Sequence, residues 1–157
     1  FRWTSLFRVF WLQAGAAWLV SLPLLFIFHA GVVIRSVDFL AIALFLVGFF
    51  FEAIGDWQMD RFRANPNNIG QVCDGGLWRY TRHPNYFGEA VLWWGLWFFA
   101  VARSAPVWTV VSPVLLTFLL LRVSGARLLE QSLTKEKPSY RDYIRRTSAF
   151  VPWKPTR

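Results

Sequence analysis

The sequence predicts an all-α fold: a polytopic transmembrane helical bundle of about four spans, with cytosolic loops and an amphipathic C-terminal tail. Hydrophobic residues make up 55% of the 157 residues and charged residues only 17%, whereas about a quarter of the residues in a soluble domain are charged. The hydrophobic residues are gathered into four long segments. At about 20 residues per span there is room for four or five helices, so residues 1–157 are expected to form a single membrane domain.

The first two apolar segments predict the first two spans. One runs from Val9 to Phe28, and its only polar residues are Gln13 and Ser21. Pro23 lies inside it and predicts a kink, which neighbouring helices tolerate in a membrane. The other runs from about Val37 to Gly55 around an uninterrupted apolar core. Both are long enough to cross the hydrocarbon core of a bilayer.

The last two apolar segments predict two further spans, and the tail follows them. The third runs from Pro84 to Ala102, and the fourth runs from Pro106 to about Val123 with a bend at Pro113. A stretch of helical character then ends at Pro138, and short basic and aromatic pieces alternate beyond it. This pattern predicts an amphipathic tail that folds against the inner face of the membrane.

The positive charges predict the orientation. Of the 17 Lys and Arg residues, fifteen lie at the two ends of the chain or between the second and third spans, and only Arg35 and Arg103 lie in the other connections. By the positive-inside rule both termini are cytoplasmic. The net charge of +8 therefore reflects orientation and contact with anionic membrane lipids, and no nucleic-acid partner is expected.

Cysteine and histidine are too few for a disulfide framework or a metal site. The chain has one cysteine, Cys73, and two histidines, His29 and His83. A single cysteine makes no intramolecular disulfide, and Cys and His metal sites need several such ligands close together. No metal is expected.

Two carboxylates, Glu52 and Glu89, lie within predicted spans or at their cytoplasmic edge. An ionisable residue in a membrane is costly, so it generally faces the bundle interior or a wet cavity and marks a functional site. For Glu52, a position at the level of the lipid headgroups explains the charge equally well.

Polar residues repeat at helical spacing around both carboxylates. Glu52, Asp56 and Asp60 recur every fourth residue and Arg63 follows, so they share one stripe of a helix that continues into the cytosol. This stripe either lines a site or is the solvated face of a surface helix. The third span repeats the spacing with Asn85, Glu89 and Trp93. Two stripes that face a common space would form a polar pocket at the membrane surface.

The loop from Asn65 to Glu89 has the residues of an anion-binding site. Gly75 and Gly76 supply a tight turn at which the backbone can approach a ligand closely. Pro84 suits the first position of the third span, whose start presents free N–H groups. His83 before it is either a capping or hydrogen-bonding residue or a general acid. Basic and aromatic residues that can hold phosphates or stack on a flat ring lie nearby: Trp78, Arg79, Tyr80, Arg82 and Tyr86.

The motif GGLWRYTRHPNYFGE, residues Gly75 to Glu89, resembles the signature of the bacterial steroid 5-alpha-reductase-like membrane proteins, the 3-oxo-5-alpha-steroid 4-dehydrogenase C-terminal domain family. The resemblance extends upstream to Asp56–Arg63 and downstream through LLEQSL and KPSYRDYIRRTSAFVPW. It implies a protein of the bacterial inner membrane that binds NADPH between the cytosolic ends of its spans and its loops. It also implies hydride transfer from NADPH to the activated C=C bond of a lipid-soluble enone, steroid-like or other, which arrives from the bilayer.

The resemblance also implies which residues bind the cofactor. Asn85 and Glu89 match positions at the nicotinamide end, with Trp93 one turn deeper, and Asp56 and Arg63 match positions at the adenosine and the phosphates. The other candidates, in the loop and the tail, are Arg79, Tyr80, Arg82, His83, Tyr86, Arg127, Tyr143 and Arg146.

Two departures from the family pattern matter for the chemistry. The chain begins at Phe1 without the N-terminal spans that in the family polarise the enone carbonyl, so the catalytic residue is expected outside it. Gln71 stands where the animal enzymes have a basic residue, and Glu52 also differs from them. The choice between NADPH and NADH is therefore open.

Two alternatives to the reductase are open. The R-H-P-x-Y core is also similar to the isoprenylcysteine carboxyl methyltransferases and the phospholipid methyltransferases, which bind S-adenosylmethionine in a similar place. A carboxylate such as Glu89 or Glu130 would face the positive sulfonium of that cofactor. The other alternative is a non-enzymatic membrane scaffold, and cofactor binding separates the three hypotheses.

Overall fold

The computed structural model describes residues 10–29, 31, 34–123 and 126–156, and it confirms an all-α fold. Within these ranges there is no strand, and a single parallel bridge joins Thr81 to Ser148. The described residues form six α-helices: α1 Trp11–His29, α2 Ser36–Ala64, α3 Pro84–Val101, α4 Val111–Phe118, α5 Ala126–Glu136 and α6 Tyr140–Arg146.

In the part of the chain that the structure describes, two helices, α1 and α2, are long and apolar enough to cross a membrane, and the stretch Val107–Arg122 is a shorter apolar one. These two are the first and second of the predicted spans, and α1 continues as a helix through Pro23. The third predicted span forms α3, which has 18 residues and carries Glu89 in its second turn. A total of four spans remains a prediction from the sequence.

The fourth predicted span is not one regular helix. Val107–Val110 is a 3₁₀-helix, α4 follows it, and Leu119–Val123 is a π-helix. Pro113 is the third residue of α4, and the helical stretch that begins at Val107 continues through it. The change of helix type precedes the proline, and the bend expected at Pro113 remains a prediction from the sequence.

Helix α2 is longer than the membrane span it contains. Its 29 residues make it about 44 Å long at 1.5 Å per residue, against about 30 Å for the hydrocarbon core of a bilayer. The helix therefore continues past Gly55, as the spacing of Glu52, Asp56 and Asp60 predicts, and places its last two turns beside the loop that precedes α3.

Glycines bring α2 and α3 into close contact. A Cβ atom added at Gly48 would lie 2.6 Å from the carbonyl oxygen of Gly88, and one added at Gly95 would lie 2.8 Å from the backbone nitrogen of Phe45. Real Cβ atoms do not come so near to backbone, so only glycine allows these helices to pack at this distance. Small residues on facing helices are a common means of helix association in membranes.

The far end of the α2–α3 pair is held by charges. Asp38 is 1% exposed, and one of its carboxylate oxygens lies 2.7 Å from Nη1 of Arg103, just past the end of α3. Arg35 donates from its guanidinium to the carbonyl oxygen of Ala102 over 2.6 Å. Together with the glycine contacts, these bonds fix the hairpin whose opposite end carries the candidate site.

Candidate functional site

A cavity of about 240 Å³ lies at the end of the α2–α3 hairpin. Its walls come from the last turns of α2, the following loop, the start of α3, and the tail helices α5 and α6. The predicted cofactor residues that line it are Asp56, Arg63, Arg82, His83, Asn85, Tyr86 and Tyr143. We call this space the inner cavity.

The loop before α3 is fixed to α2 by two hydrogen bonds. Trp78 donates from its indole to the carbonyl oxygen of Gly55 over 3.0 Å, and the backbone N–H of Leu77 donates to the Gln58 side chain over 2.9 Å. Gly76 has a φ of +59°, and a Cβ there would lie 2.5 Å from the amide of Gln58. The tight turn is confirmed. The space next to it, where a ligand was expected to approach the backbone, is occupied by the side chain of Gln58.

Arg82 is the least satisfied charge at the inner cavity. Its side chain is only 10% exposed, yet its Nε and Nη1 atoms have no hydrogen-bond partner. Nη1 lies 3.4 Å from an oxygen of Glu130, within ion-pair distance but without the geometry of a hydrogen bond. A buried charge with unmade hydrogen bonds is costly, and these two nitrogens leave donors available to an acceptor in the cavity.

Two further cations line the same cavity. Arg63, on the last turn of α2, lines the cavity and is also exposed to solvent. Lys137 lines it too, and its ammonium donates to the carbonyl oxygen of Gln71 over 2.6 Å. With Arg82 they surround the space with positive charge, while Asp56 and Asp60 of α2 supply the opposite sign.

His83 is buried and held from three directions. It is 2% exposed, its Nε2 lies 2.9 Å from Glu130, and its ring is parallel to that of Tyr86 at a centroid distance of 5.4 Å. Its backbone N–H donates to the Thr81 hydroxyl over 3.3 Å. The side chain makes no capping bond to α3, so the capping role is wrong, whereas the hydrogen-bonding role expected beside it is confirmed by the contact with Glu130.

Glu130 is a site residue that the sequence analysis considered only as a partner of a sulfonium. One of its oxygens faces His83 and the other faces Arg82. The signal available in the sequence was its place in the LLEQSL stretch, but nothing there indicates a contact with residues almost 50 positions earlier.

The two polar stripes meet at Asn85. Its side-chain N–H donates to Asp56 over 2.9 Å, and its side-chain oxygen accepts the backbone N–H of Tyr86 over 3.0 Å. Glu89 and Trp93 lie one and two turns further along α3 and do not line the inner cavity. Of the two stripes, only the residues near the end of α2 and the start of α3 line the inner cavity.

Two tyrosines of the tail close the inner cavity. Tyr143 is 2% exposed and donates from its hydroxyl to the carbonyl oxygen of Trp78, and Tyr140 is 4% exposed with its ring 5.5 Å from that of Tyr143. Burial raises the pKa of Tyr140 to about 12, and burial also raises the pKa of Tyr143. Both therefore remain protonated donors at neutral pH. The sequence analysis missed Tyr140, although its spacing of three from Tyr143 places both on one face of α6.

The remaining predicted residues lie elsewhere. Arg79 and Arg146 line a second cavity, of about 390 Å³, and Arg146 forms an ion pair with Asp74 there. Tyr80 is 45% exposed, and its carbonyl oxygen accepts the backbone N–H of Trp153 over 2.9 Å. The side chain of Arg127 lies outside the described residues.

The two cavities are neighbours. Cys73 lines the inner cavity and the next residue, Asp74, lines the second one. One turn apart on α6, Tyr143 lines the inner cavity and Arg146 lines the second one. A ligand with two halves could occupy both. Among the described residues, no group of three or more His, Cys, Asp or Glu side chains could hold a metal ion.

Comparison with known proteins gives a family but no activity. The family described as "Protein of unknown function (DUF1295)" matches residues 2–147. The chain is also 25% identical over 135 residues to "Uncharacterized protein C594.04c" of Schizosaccharomyces pombe, in an alignment that covers 73% of this chain and 39% of that protein. The chain thus spans about two fifths of the length of this curated relative. No solved structure matches it.

Proposed function

Because this chain belongs to the DUF1295 family, whose description names no activity, we propose a function from the site: a membrane oxidoreductase that transfers a hydride from NADPH to the activated C=C bond of a lipid-soluble enone. The motif from Gly75 to Glu89, with its resemblance to steroid 5-alpha-reductase-like proteins, supports this reaction. The cofactor supplies the hydride chemistry, and the residues of this chain bind and orient it.

The observation that carries the proposal is the buried guanidinium of Arg82. Two of its nitrogen atoms lack partners beside a cavity that Arg63 and Lys137 also line. A phosphate oxygen would accept the unmade N–H bonds, and charge-assisted bonds of this kind are among the strongest in proteins. A cofactor that carries several phosphates matches this concentration of cations.

Asn85 has capacity left for a carboxamide. Its side-chain oxygen accepts one hydrogen bond and its nitrogen donates one, to Tyr86 and Asp56 respectively. An Asn side chain can accept two and donate two, so one of each is free. The parallel rings of His83 and Tyr86 line the same cavity as Asn85, and a planar nicotinamide ring could stack beside them.

The inner cavity alone is too small for a dinucleotide, since pockets for drug-sized ligands run from about 300 Å³ upward. The second cavity, with Arg79 and Arg146, adds about 390 Å³ next to it. We assign the nicotinamide end to the inner cavity, near Asn85, and the adenosine end to the second. This arrangement uses Arg79 and Arg146 as cofactor contacts, as the family resemblance implies. It differs from the resemblance at Asp56 and Arg63, which line the inner cavity and not the cavity assigned to the adenosine.

The test is a thermal-shift titration of the purified protein in detergent with NADPH, NADH and S-adenosylmethionine. A ligand that binds only the folded state raises the apparent stability by mass action. We expect NADPH to stabilise the wild type and Arg82→Gln to weaken NADPH binding about 10- to 100-fold, which corresponds to the loss of a charged hydrogen bond. Arg141→Gln, an exposed change on α6 outside both cavities, is the matched control and should bind like the wild type.

Absence of any NADPH effect on the wild type would contradict the reductase. An equal loss of affinity in Arg82→Gln and in the control would remove Arg82 from the site. The melting temperature of each variant without ligand shows whether it is folded.

The second candidate is an S-adenosylmethionine-dependent methyltransferase. Asp56 and Asp60 line the inner cavity and could face a positive sulfonium, and the volume of this cavity suits a cofactor smaller than a dinucleotide. Stabilisation by S-adenosylmethionine alone, lost in Asp60→Asn, would establish this function in place of the reductase. No effect of any of the three cofactors would favour the scaffold.

We also propose that the site faces the cytoplasm of a bacterium, with the chain in the inner membrane. The basic residues that surround the inner cavity belong to the connections that the positive-inside rule assigns to the cytoplasm. NADPH is available on that side.

A further inference from the structure

A large open groove lies beside the inner cavity, and the cofactor proposal does not use it. Its volume is about 830 Å³, and it lies between the end of the apolar stretch Val107–Arg122 and the tail helices α5 and α6. Because that stretch ends at Arg122, the groove opens where apolar sequence gives way to polar sequence, which in a membrane protein is the bilayer surface. We call it the outer groove.

The lining of the outer groove is amphipathic. Leu121, Ile144 and Ala149 contribute apolar surface, and Arg122 and Lys135 contribute two exposed cations. Among the described side chains no acid forms an ion pair with either cation. The carboxylate of the groove, Glu130, already faces Arg82 and His83. The groove therefore has an uncompensated positive charge next to an apolar wall.

Glu130 connects the outer groove to the inner cavity. It lines the groove, while the two residues that its oxygens face, Arg82 and His83, line the inner cavity. A molecule in the groove and a molecule in the cavity would thus be separated by this one layer of side chains. Hydride transfer requires direct contact between the nicotinamide and the substrate carbon, so the groove is a binding surface beside the site and not the position of the reaction.

The geometry points to a single-chain anionic amphiphile as the occupant of the outer groove, taken up from the bilayer, with its hydrocarbon chain on Leu121 and Ile144 and its anionic group on Arg122 and Lys135. Charge complementarity selects the anion, and the apolar wall at the membrane surface selects the chain. The binding of this amphiphile goes beyond the proposed function and does not depend on it. The anionic group is a carboxylate or a phosphate.

Photo-crosslinking tests the binding directly. The full chain is placed in nanodiscs of zwitterionic phosphatidylcholine and exposed to a diazirine analogue of palmitic acid, and the labelled peptides are identified by mass spectrometry. The matched probe is the diazirine analogue of the fatty alcohol, which has the same chain and no charge. We expect the acid to label the peptides that contain Leu121 and Ile144 at least fivefold more than the alcohol does.

Two double variants separate the local cations from general attraction. Arg122→Gln with Lys135→Gln should lower labelling by the acid at least fivefold and leave labelling by the alcohol unchanged. Arg141→Gln with Lys154→Gln removes the same charge from exposed positions outside the groove and should label like the wild type. The melting temperatures of both variants confirm that they are folded.

Competition identifies the anion. Unlabelled palmitate that displaces the probe indicates a carboxylate site, and unlabelled lysophosphatidate that displaces it more strongly indicates a phosphate site. Equal labelling by acid and alcohol, unchanged labelling in the groove variant, or displacement by neither competitor would each overturn the inference. NADPH binding is measured on the same samples, so its absence from a wild type that still binds the acid would overturn the reductase alone.

Discussion

Glu130 contributes to two separate spaces: it lines the outer groove, and its carboxylate faces Arg82 and His83 of the inner cavity. Removing one partner of a buried ion pair leaves the other charge uncompensated, which typically costs about 3–5 kcal/mol when both are fully buried. Glu130 is 21% exposed, so we expect Glu130→Ala to lower the free energy of unfolding by about 2–3 kcal/mol. Chemical denaturation in detergent, followed by tryptophan fluorescence, measures this.

The internal control is the exposed pair of Asp142 and Arg145 on α6. Exposed pairs contribute at most about 1 kcal/mol, so Asp142→Ala should change the stability little. If the two alanine variants are equally stable, Glu130 is not the counter-charge of Arg82 and His83 that the geometry indicates.

Alkaline pH should loosen the tail through Tyr140. Its folded-state pKa of about 12 lies above the ordinary value of 10, so the folded protein resists deprotonation more than the unfolded chain does. The stabilising contribution is complete below about pH 10 and is lost as pH rises toward about 12. Melting temperatures between these values should fall less steeply in Tyr140→Phe than in the wild type. Parallel curves for the two proteins would contradict this role.

At the scale of single residues, the sequence predicted what depends on local spacing. Asp56 and Asn85 come from two helices, and the stripe that contains each was visible from the interval of four residues. Glu130 was not assigned to His83, because that contact depends on how α5 folds back on the hairpin. Tyr80 carried the right chemistry, but it is exposed and lines neither of the two cavities.

At the scale of helices, the glycine contacts between α2 and α3 predict a sharp sensitivity to bulk. Gly88→Val places a side chain against the backbone at Glu52 and Gly48. The two helices would have to move apart to make room for it. We expect this variant to lose the cooperative melting transition of the wild type and to aggregate on size-exclusion chromatography.

The matched control for bulk is Gly15→Val in α1, where a Cβ would meet no atom of the described chain within 4 Å. It carries only the small helix-propensity difference between the two residues, below about 1 kcal/mol and in favour of valine. A Gly88→Val protein that melts like Gly15→Val would contradict the close packing of α2 on α3.

The helices themselves were largely predictable. The extension of α2 beyond the membrane and the start of α3 at Pro84 follow from charge spacing and from the missing N–H of proline. The division of Val107–Val123 into 3₁₀, α and π segments was not predictable, because these forms differ by small shifts of hydrogen bonding that hydropathy does not encode.

For the whole molecule, the predicted orientation places the α3–α4 connection outside the cell and the tail inside. Ser104 in that connection and Ser139 before α6 are both exposed, and each can be changed to cysteine in a Cys73→Ser background. A membrane-impermeant maleimide applied to intact spheroplasts should label Ser104→Cys and not Ser139→Cys. Disruption of the membrane should then make both reactive. The reverse pattern would invert the topology and remove the site from the cytoplasm.

The inner cavity also lies where two parts of the chain that are far apart in sequence meet. One side is the hairpin of α2 and α3, secured by glycine packing and by Asp38 with Arg103, and the other is the tail, which reaches the cavity through residues such as Lys137 and Tyr143. A ligand that contacts both parts would hold them together and reduce the motion of the tail relative to the hairpin. Its presence should then be readable without any assay of chemistry, as protection of the tail against trypsin.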